Sequence, residues 1–227
     1  LHLSTRRQTL LFIPYPTNDT DQQALLSFKA SVDDPSGALD SWNTSMHFCQ
    51  WGGVTCSSRR ERVIKLNISD QQVGGRLSPH IGNLSFLRGL YVYQNNFHGS
   101  IPNEIGLLFR LQYLNLRQNY FTGGFPANLS YCTDIRKLSM SNNELEGKLP
   151  TEFSSWSKLD QFDARVNNFT GSIPPSIGNI STLLYLDLAY NNLFGGIPLE
   201  LAHHTSLQFL NLGVNGLGGL VPPSLYN

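Results

Sequence analysis

Residues 183–198 read LLYLDLAYNNLFGGIP, and this pattern returns every 24 residues. Its units begin at Val63, Leu87, Leu111, Ile135, Leu159, Leu183 and Leu207, with no insertion between them. A strict period of this length marks a solenoid, whose coils bury apolar side chains against neighbouring coils rather than around a separate centre. The fourth and sixth positions of each unit, such as Leu90/Val92, Leu114/Leu116 and Leu186/Leu188, alternate with polar residues. That is the period-two pattern of a strand with one buried face. Successive strands are therefore predicted to stack into one parallel sheet.

The ninth position carries Asn95, Asn119, Asn143, Asn167, Asn191 and Asn215, with Gln71 in the first unit. A side-chain amide both donates and accepts hydrogen bonds. A row of them inside the turn is expected to satisfy backbone groups that leave the strand and would otherwise be buried unpaired. Glycine recurs at the thirteenth position, where a turn needs backbone freedom. Proline follows from Pro102 to Pro222 and suits the start of a short helical turn that brings the chain back.

Composition excludes several functions. Lys+Arg and Asp+Glu are both 16, so the basic excess expected of a nucleic-acid binder is absent. No apolar stretch approaches the roughly 18 residues of a membrane span, so direct insertion by this segment is not expected. No G-x-S-x-G, H-E-x-x-H or P-loop pattern occurs, and neither enzyme activity nor a cofactor or metal is expected. Residues 1–19 contain two arginines and a short apolar run and read as a leader or weakly structured N-terminus. Asn18, Asn43, Asn67, Asn83, Asn128, Asn168 and Asn179 each open an N-x-S/T sequon, more than chance predicts, which favours an exported, glycosylated chain.

The L-x-x-L-x-L-x-x-N core followed by L-x-G-x-I-P resembles the leucine-rich repeats of plant extracellular proteins. Residues 21–56, DQQALLSFKASVDDPSGALDSWNTSMHFCQWGGVTC, are similar to the N-terminal cap of plant leucine-rich-repeat receptor-like kinases. Phrases such as GSIPNEIG and GSIPPSIGNISTL resemble the subfamily that includes pattern-recognition receptors for bacterial proteins. The resemblance implies an α/β, right-handed leucine-rich-repeat solenoid, or horseshoe. It would have a parallel concave β-sheet, a helical cap over residues 20–62 closed by a disulfide, and seven repeats over 63–227. Relatives of this kind carry further repeats, a membrane span and a kinase, whereas this chain stops partway through its seventh unit. It is expected to be a fragment or truncated product.

Within the cap, Thr20 or Asp21 is expected to N-cap a helix that buries Ala24, Leu25, Leu26 and Phe28. A second short helix is expected after Pro35, burying Leu39 and Trp42. Cys49 and Cys56 would close a small loop against the first coil, a link of about 2–3 kcal/mol in the chain-entropy model. A metal half-site or redox pair stays open as an alternative for two cysteines. Cys132 falls on a core slot and reads as a buried apolar residue. His204 occupies the same slot in a later coil.

Function is expected on the concave strands. The candidate ligand-binding residues are Tyr91, Tyr93, Tyr113, Arg117, Lys137, Asp163, Arg165, Tyr185, Asp187 and Phe209. Tyrosine and arginine are over-represented in binding hot spots, and alternating bases and acids would set a ligand's orientation. The eighth position, with Gln94 and Tyr190, is expected to face the same way. The predicted partner is a peptide or protein ligand, with a co-receptor kinase ectodomain as a second partner. The place is the apoplast, or the outer side of the plasma membrane in a full-length receptor. The competing reading is a secreted binder, either polygalacturonase-inhibitor-like or a truncated decoy receptor.

Overall fold

The computed structural model describes residues 18–226. The 1–17 part of the expected leader, and the side chain of the sequon residue Asn18, lie outside the described residues. From Val63 onward the chain winds as a right-handed solenoid in which every coil contributes one strand to each of two sheets.

The first sheet begins with Val54–Cys56 paired antiparallel to Val63–Asn67. It continues in parallel through Gly89–Tyr91, Tyr113–Asn115, Lys137–Ser139, Gln161–Asp163, Tyr185–Asp187 and Phe209–Asn211. Its register advances by one full repeat per coil: Leu66 faces Leu90, Leu90 faces Leu114, and Leu114 faces Leu138. These are the fourth-position residues, and all are buried. The second sheet was not anticipated from the sequence. It runs from Val32–Asp33 of the cap through Gly74–Arg76, Asn96–Ser100, Tyr120–Gly124, Glu144–Lys148, Asn168–Gly171, Asn192–Gly195 and Gly216–Leu217. Its register is different: Gly99 pairs with Phe121, and Gly147 with Phe169. Each strand slips two residues, or ~7 Å, against the repeat. A two-residue slip preserves which side chains face inward, because the strand period is two.

Short 3-10 turns such as Pro79–Asn83, Asn103–Leu107 and Pro175–Asn179 complete the coils, and the helical turn Leu199–Ala202 replaces one of them. Neighbouring turns pack closely. A Cβ added at Gly106 would sit 2.3 Å from the Asn128 carbonyl oxygen. The thirteenth-position glycines have a different reason: a Cβ at Gly147 would meet nothing within 4 Å, but its φ is +77°. The eighth position also adopts the left-handed region, at Gln94, Gln118, Asn142, Val166, Tyr190 and Val214. It is therefore a turn, not part of the flat concave strand. A β-branched residue is poorly suited to that conformation.

The ninth-position asparagines form a continuous row. Asn119 Nδ2 donates to Val92 O in the preceding coil (3.0 Å) and to Leu116 O in its own (3.1 Å). Its Oδ1 accepts from the Phe97 amide at 3.0 Å. Asn95, Asn143, Asn167, Asn191 and Asn215 repeat this bridge, each reaching a carbonyl one coil back. Gln71 does not join it; its side chain donates to Ser69 O and is exposed.

The cap docks through aromatic packing and one buried ion pair. Trp51 stacks on Trp42 at 5.6 Å, Trp42 meets Phe28 at 5.9 Å, and Phe28 meets Phe97 of the repeats at 6.1 Å. The helix Asn18–Lys29 begins earlier than expected, so Asp21 is not its N-cap. Asp21 is fully buried and accepts from Arg62 Nη2 (2.7 Å), Arg62 Nε (2.9 Å) and the Val63 amide (2.8 Å). Losing one member of such a pair costs about 3–5 kcal/mol, because it strands the other charge. The expected second helix does not form over residues 35–42. The chain makes turns there because the Asp34 carboxylate captures the amides of Ala38 and Leu39 (2.9 and 2.8 Å). Leu39 and Trp42 are nevertheless buried. Cys49 and Cys56 are disulfide-bonded, with Cα atoms 5.5 Å apart. Among the described residues no helix is long and apolar enough to cross a membrane.

Two substitutions test this account. Asn119→Ala leaves the Phe97 amide without its side-chain acceptor and removes one of the two asparagine donors at each of the Val92 and Leu116 carbonyls, which Asn95 and Asn143 still reach. It should lower unfolding free energy by about 3 kcal/mol in urea titrations. Val166→Asn places a residue tolerant of positive φ at the strained turn and should add about 1 kcal/mol in the same assay.

Candidate functional site

The third and fifth positions of the first-sheet strands, and the seventh position just beyond them, present their side chains in adjacent columns. Lys65 Nζ lies 5.2 Å from the Tyr91 ring centroid, and Arg117 Cζ lies 5.3 Å from that of Tyr93. Tyr91 and Tyr113 are half-buried on neighbouring strands whose Cα atoms pair Tyr91 with Asn115. Burial first, and Tyr113 second, raise the Tyr91 phenol pKa above its ordinary value. A shallow cavity of about 380 Å³ opens here, lined by Tyr91, Tyr113, Asn115, Lys137, Ser139 and Gln161. Ser139 Oγ is buried without a hydrogen-bond partner among the described residues. Lys137 is exposed and has no carboxylate partner among them. The cavity thus joins two aromatic walls to one available cation and an unpaired hydroxyl.

Farther along, Tyr185 and Phe209 stack with centroids 4.4 Å apart and planes at 4°. Asp163 and Asp187 depart from expectation. Both are buried, so neither is free to greet a ligand's charge. Instead they hold Arg165: its Nη1 lies 3.5 Å from Asp187 Oδ2 and its Nε 3.9 Å from Asp163 Oδ1. Asp163 also accepts from Ser141 Oγ at 2.9 Å, and Tyr185 OH donates to Asp187 at 3.3 Å. The physical reason is the β-register, which sets Asp163 directly beside Asp187. Two adjacent carboxylates are tolerable only with donors around them. Burial raises the Asp163 pKa, an effect the Ser141 hydrogen bond partly opposes. Burial, followed by the Asp187 charge, raises the Tyr185 phenol.

Sequence reading missed Ser139, Ser141 and Gln161. Their positions in the strand columns were legible, but small or neutral polar residues gave no chemical signal of their own. Other candidates lie elsewhere. Cys132 is buried and its thiol is pushed up to about 12 by desolvation, which leaves it protonated and inert as a nucleophile. It donates to Ile105 O (3.3 Å), while His204 Nε2 lies 2.6 Å from Ile180 O. This slot thus accepts a polar atom when a carbonyl of the preceding coil can partner it. Asn67 is exposed on the first concave strand, and Asn168 is exposed on the second sheet. Asn83, Asn128 and Asn179 are exposed on the 3-10 turns, and Asn43 is exposed in the cap.

This geometry of cap, asparagine row and strand column is matched in known proteins. Residues 18–57 match the leucine rich repeat N-terminal domain, and residues 110–132, 134–156, 182–204 and 206–227 match the Leucine Rich Repeat. The chain belongs to the leucine-rich-repeat family. Its form of cap and repeat is that of plant receptor-kinase ectodomains. This leucine-rich-repeat chain is 51% identical over 92 residues to the LRR receptor-like serine/threonine-protein kinase EFR of Arabidopsis thaliana. That match covers 40% of this chain and 9% of the relative. It is 48% identical over 82 residues to the receptor kinase-like protein Xa21 of Oryza sativa subsp. japonica, covering 33% of this chain and 8% of that protein. Among solved structures, PEPR1-AtPEP1 aligns with TM-score 0.73 and 30% identity over 88% of this chain and 32% of the other. The plant peptide hormone receptor RGFR1 in complex with RGF2 aligns with TM-score 0.62 and 32% identity, covering 67% and 28%. The match therefore spans less than a tenth of each of these two curated relatives.

Because the native state binds the Asp163 proton more tightly than the unfolded chain does, this group favours folding most at low pH. That contribution is lost as pH rises through its raised pKa. Asp163→Asn, which keeps an acceptor for Ser141, should shrink the part of the drop in thermal midpoint between about pH 4 and pH 7 that Asp163 supplies. Differential scanning calorimetry across that range reads the change.

Proposed function

We propose that the chain is part of the extracellular ligand-recognition region of a plant receptor-like kinase and that it takes an extended peptide, or the edge of a microbial protein, on its concave face. The observation that carries this reading is the cavity between Tyr91, Tyr113 and Lys137. It lies on a face that supplies aromatic area and an available charge in neighbouring columns. The apolar sheet beneath is buried in the core, so these side chains are held on a rigid scaffold. Rigid aromatic residues contribute contact area at low entropic cost, and an ammonium group orients what they hold.

Arg165 belongs to the same surface as a positioned cation, its geometry fixed by Asp163 and Asp187. Tyr93, Arg117, Tyr185 and Phe209 extend the surface along the solenoid. A peptide lying across these strands would meet an aromatic pair at each end and cations between them. The peptide complex of the RGFR1 receptor, a structural neighbour, supports the same class of ligand for this chain. A role in defence or development signalling, partnership with a co-receptor ectodomain, and an apoplastic position follow from the same proposal. N-glycans on the exposed sequons fit it, since only Asn67 lies on the concave strands.

The test is selection of a displayed random-peptide library against the purified, glycosylated chain. Enriched peptides should lose about tenfold or more in affinity to Tyr91→Ala, Tyr113→Ala or Lys137→Ala. They should bind Glu146→Ala, on the second sheet, as they bind the parent. Peptides that ignore all three concave substitutions but depend on Glu146 would refute the assignment.

A further inference from the structure

One cluster of side chains lies apart from the concave columns and serves no role described above. Phe86 ends the first repeat unit and is half-buried. Three guanidiniums surround its ring: Arg110 Cζ at 4.3 Å from the centroid, Arg62 Cζ at 4.4 Å and Arg60 Cζ at 5.7 Å. Arg62 is committed to buried Asp21. Arg60 and Arg110 are exposed, and among the described residues neither has a carboxylate partner. An aromatic face orients a guanidinium without using its N–H donors, which stay available for bidentate contacts. Sharing one ring keeps the two exposed groups within roughly 10 Å of each other, comparable with the Debye length at moderate salt, so their fields add.

The surplus of positive charge is short. In the repeat position of Phe86 and Arg110, the next two coils carry Asp134 and Lys158, which pair with each other. On the other side, exposed Arg59 and Arg88 flank Arg60 and Phe86 in sequence and likewise have no carboxylate partner among the described residues, so the available cations reach from the end of the cap to Arg110. This edge also carries no sequon: Asn67 is on a concave strand, Asn83, Asn128 and Asn179 are on the 3-10 turns, and Asn168 is on the second sheet.

We propose that the Arg60–Phe86–Arg110 edge is a second docking site, separate from the concave face, and that it engages an acidic segment of a protein partner through two carboxylates. The two guanidiniums held on one ring match two carboxylates, and the Asp134–Lys158 pair beyond them offers no further free cation. A long acidic polysaccharide fits less well: its charges repeat past the patch, and the guanidiniums already packed on Phe86 occupy the ring that a sugar would stack against.

The probe is a fluorescein-labelled hexaglutamate peptide, titrated by fluorescence anisotropy against the purified chain at low and physiological salt. Saturable binding that weakens with salt is expected. Arg60→Gln/Arg110→Gln should weaken it about tenfold with an unchanged melting midpoint. Lys148→Gln, which removes an exposed cation from the second sheet, should leave it unaltered. If the double variant melts early, Arg60→Gln alone gives the same readout with about a threefold loss. Undiminished hexaglutamate binding by the double variant overturns the proposal. So does an equal loss in Lys148→Gln, which would indicate net charge alone. Tighter binding of a hexamer of galacturonic acid than of hexaglutamate overturns it in favour of a polysaccharide. None of these readouts uses a concave-face residue, so this site and the peptide site stand or fall separately.

Discussion

Each buried asparagine amide is shared between two coils, and the stack depends on that sharing. A coil of 24 residues must turn sharply after its strand, leaving carbonyls that face the interior. Its own asparagine reaches those carbonyls, but the amide two residues further on, as at Phe97, takes its side-chain acceptor from the next coil. The amide of Asn119 reaches Val92 O in the coil before while accepting the Phe97 amide from the same coil. No coil is therefore complete without a neighbour. An unpaired buried carbonyl or amide costs about 1–3 kcal/mol, so register errors between coils are penalised at every step. This is why the fourth-position residues, leucines with Phe162 among them, stack in line along the first sheet.

The cap supplies the first coil with what a preceding repeat would give. Gln71 does not extend the asparagine row, so the beginning of the stack is secured differently. The aromatic sequence Trp51, Trp42, Phe28, Phe97 and Phe121 runs from cap to repeats, each ring within 6.1 Å of the next. Asp21 and Arg62 lock the same junction electrostatically, and the strand Val32–Asp33 covers the edge of the second sheet at Gly74–Arg76. Covering that edge removes an open row of backbone donors and acceptors that would otherwise invite pairing with another chain.

A scaffold fixed this firmly lets outward positions vary without affecting the fold. The concave face uses that freedom in two ways. Around Tyr91, Tyr113 and Lys137 the outward groups stay open to a partner. Around Arg165 they bond to one another, so that two carboxylates become supports for a single guanidinium. Adjacent columns of the same sheet thus hold available and committed charge. The same contrast appears at the lateral edge, where Arg62 is spent on Asp21 while Arg60 and Arg110 are not.

The repeat spacing by itself determined the solenoid, the parallel concave sheet, the buried fourth and sixth positions and the places of the asparagines, because each rests on a local period that one unit displays. Sequence also placed Tyr91, Tyr113 and Lys137 on one surface, since strand alternation decides which way a side chain points. Tertiary structure alone decided the second sheet and its two-residue slip, which arise from the relation between coils rather than from the pattern within one. It decided that Asp21 binds Arg62, a contact 41 residues apart in sequence, instead of capping its helix. It also decided that Asp163 and Asp187 are buried. A carboxylate in a strand column looks the same in sequence whether it faces solvent or a neighbour, and only the packing of Arg165, Tyr185 and Ser141 over it withdraws it from water.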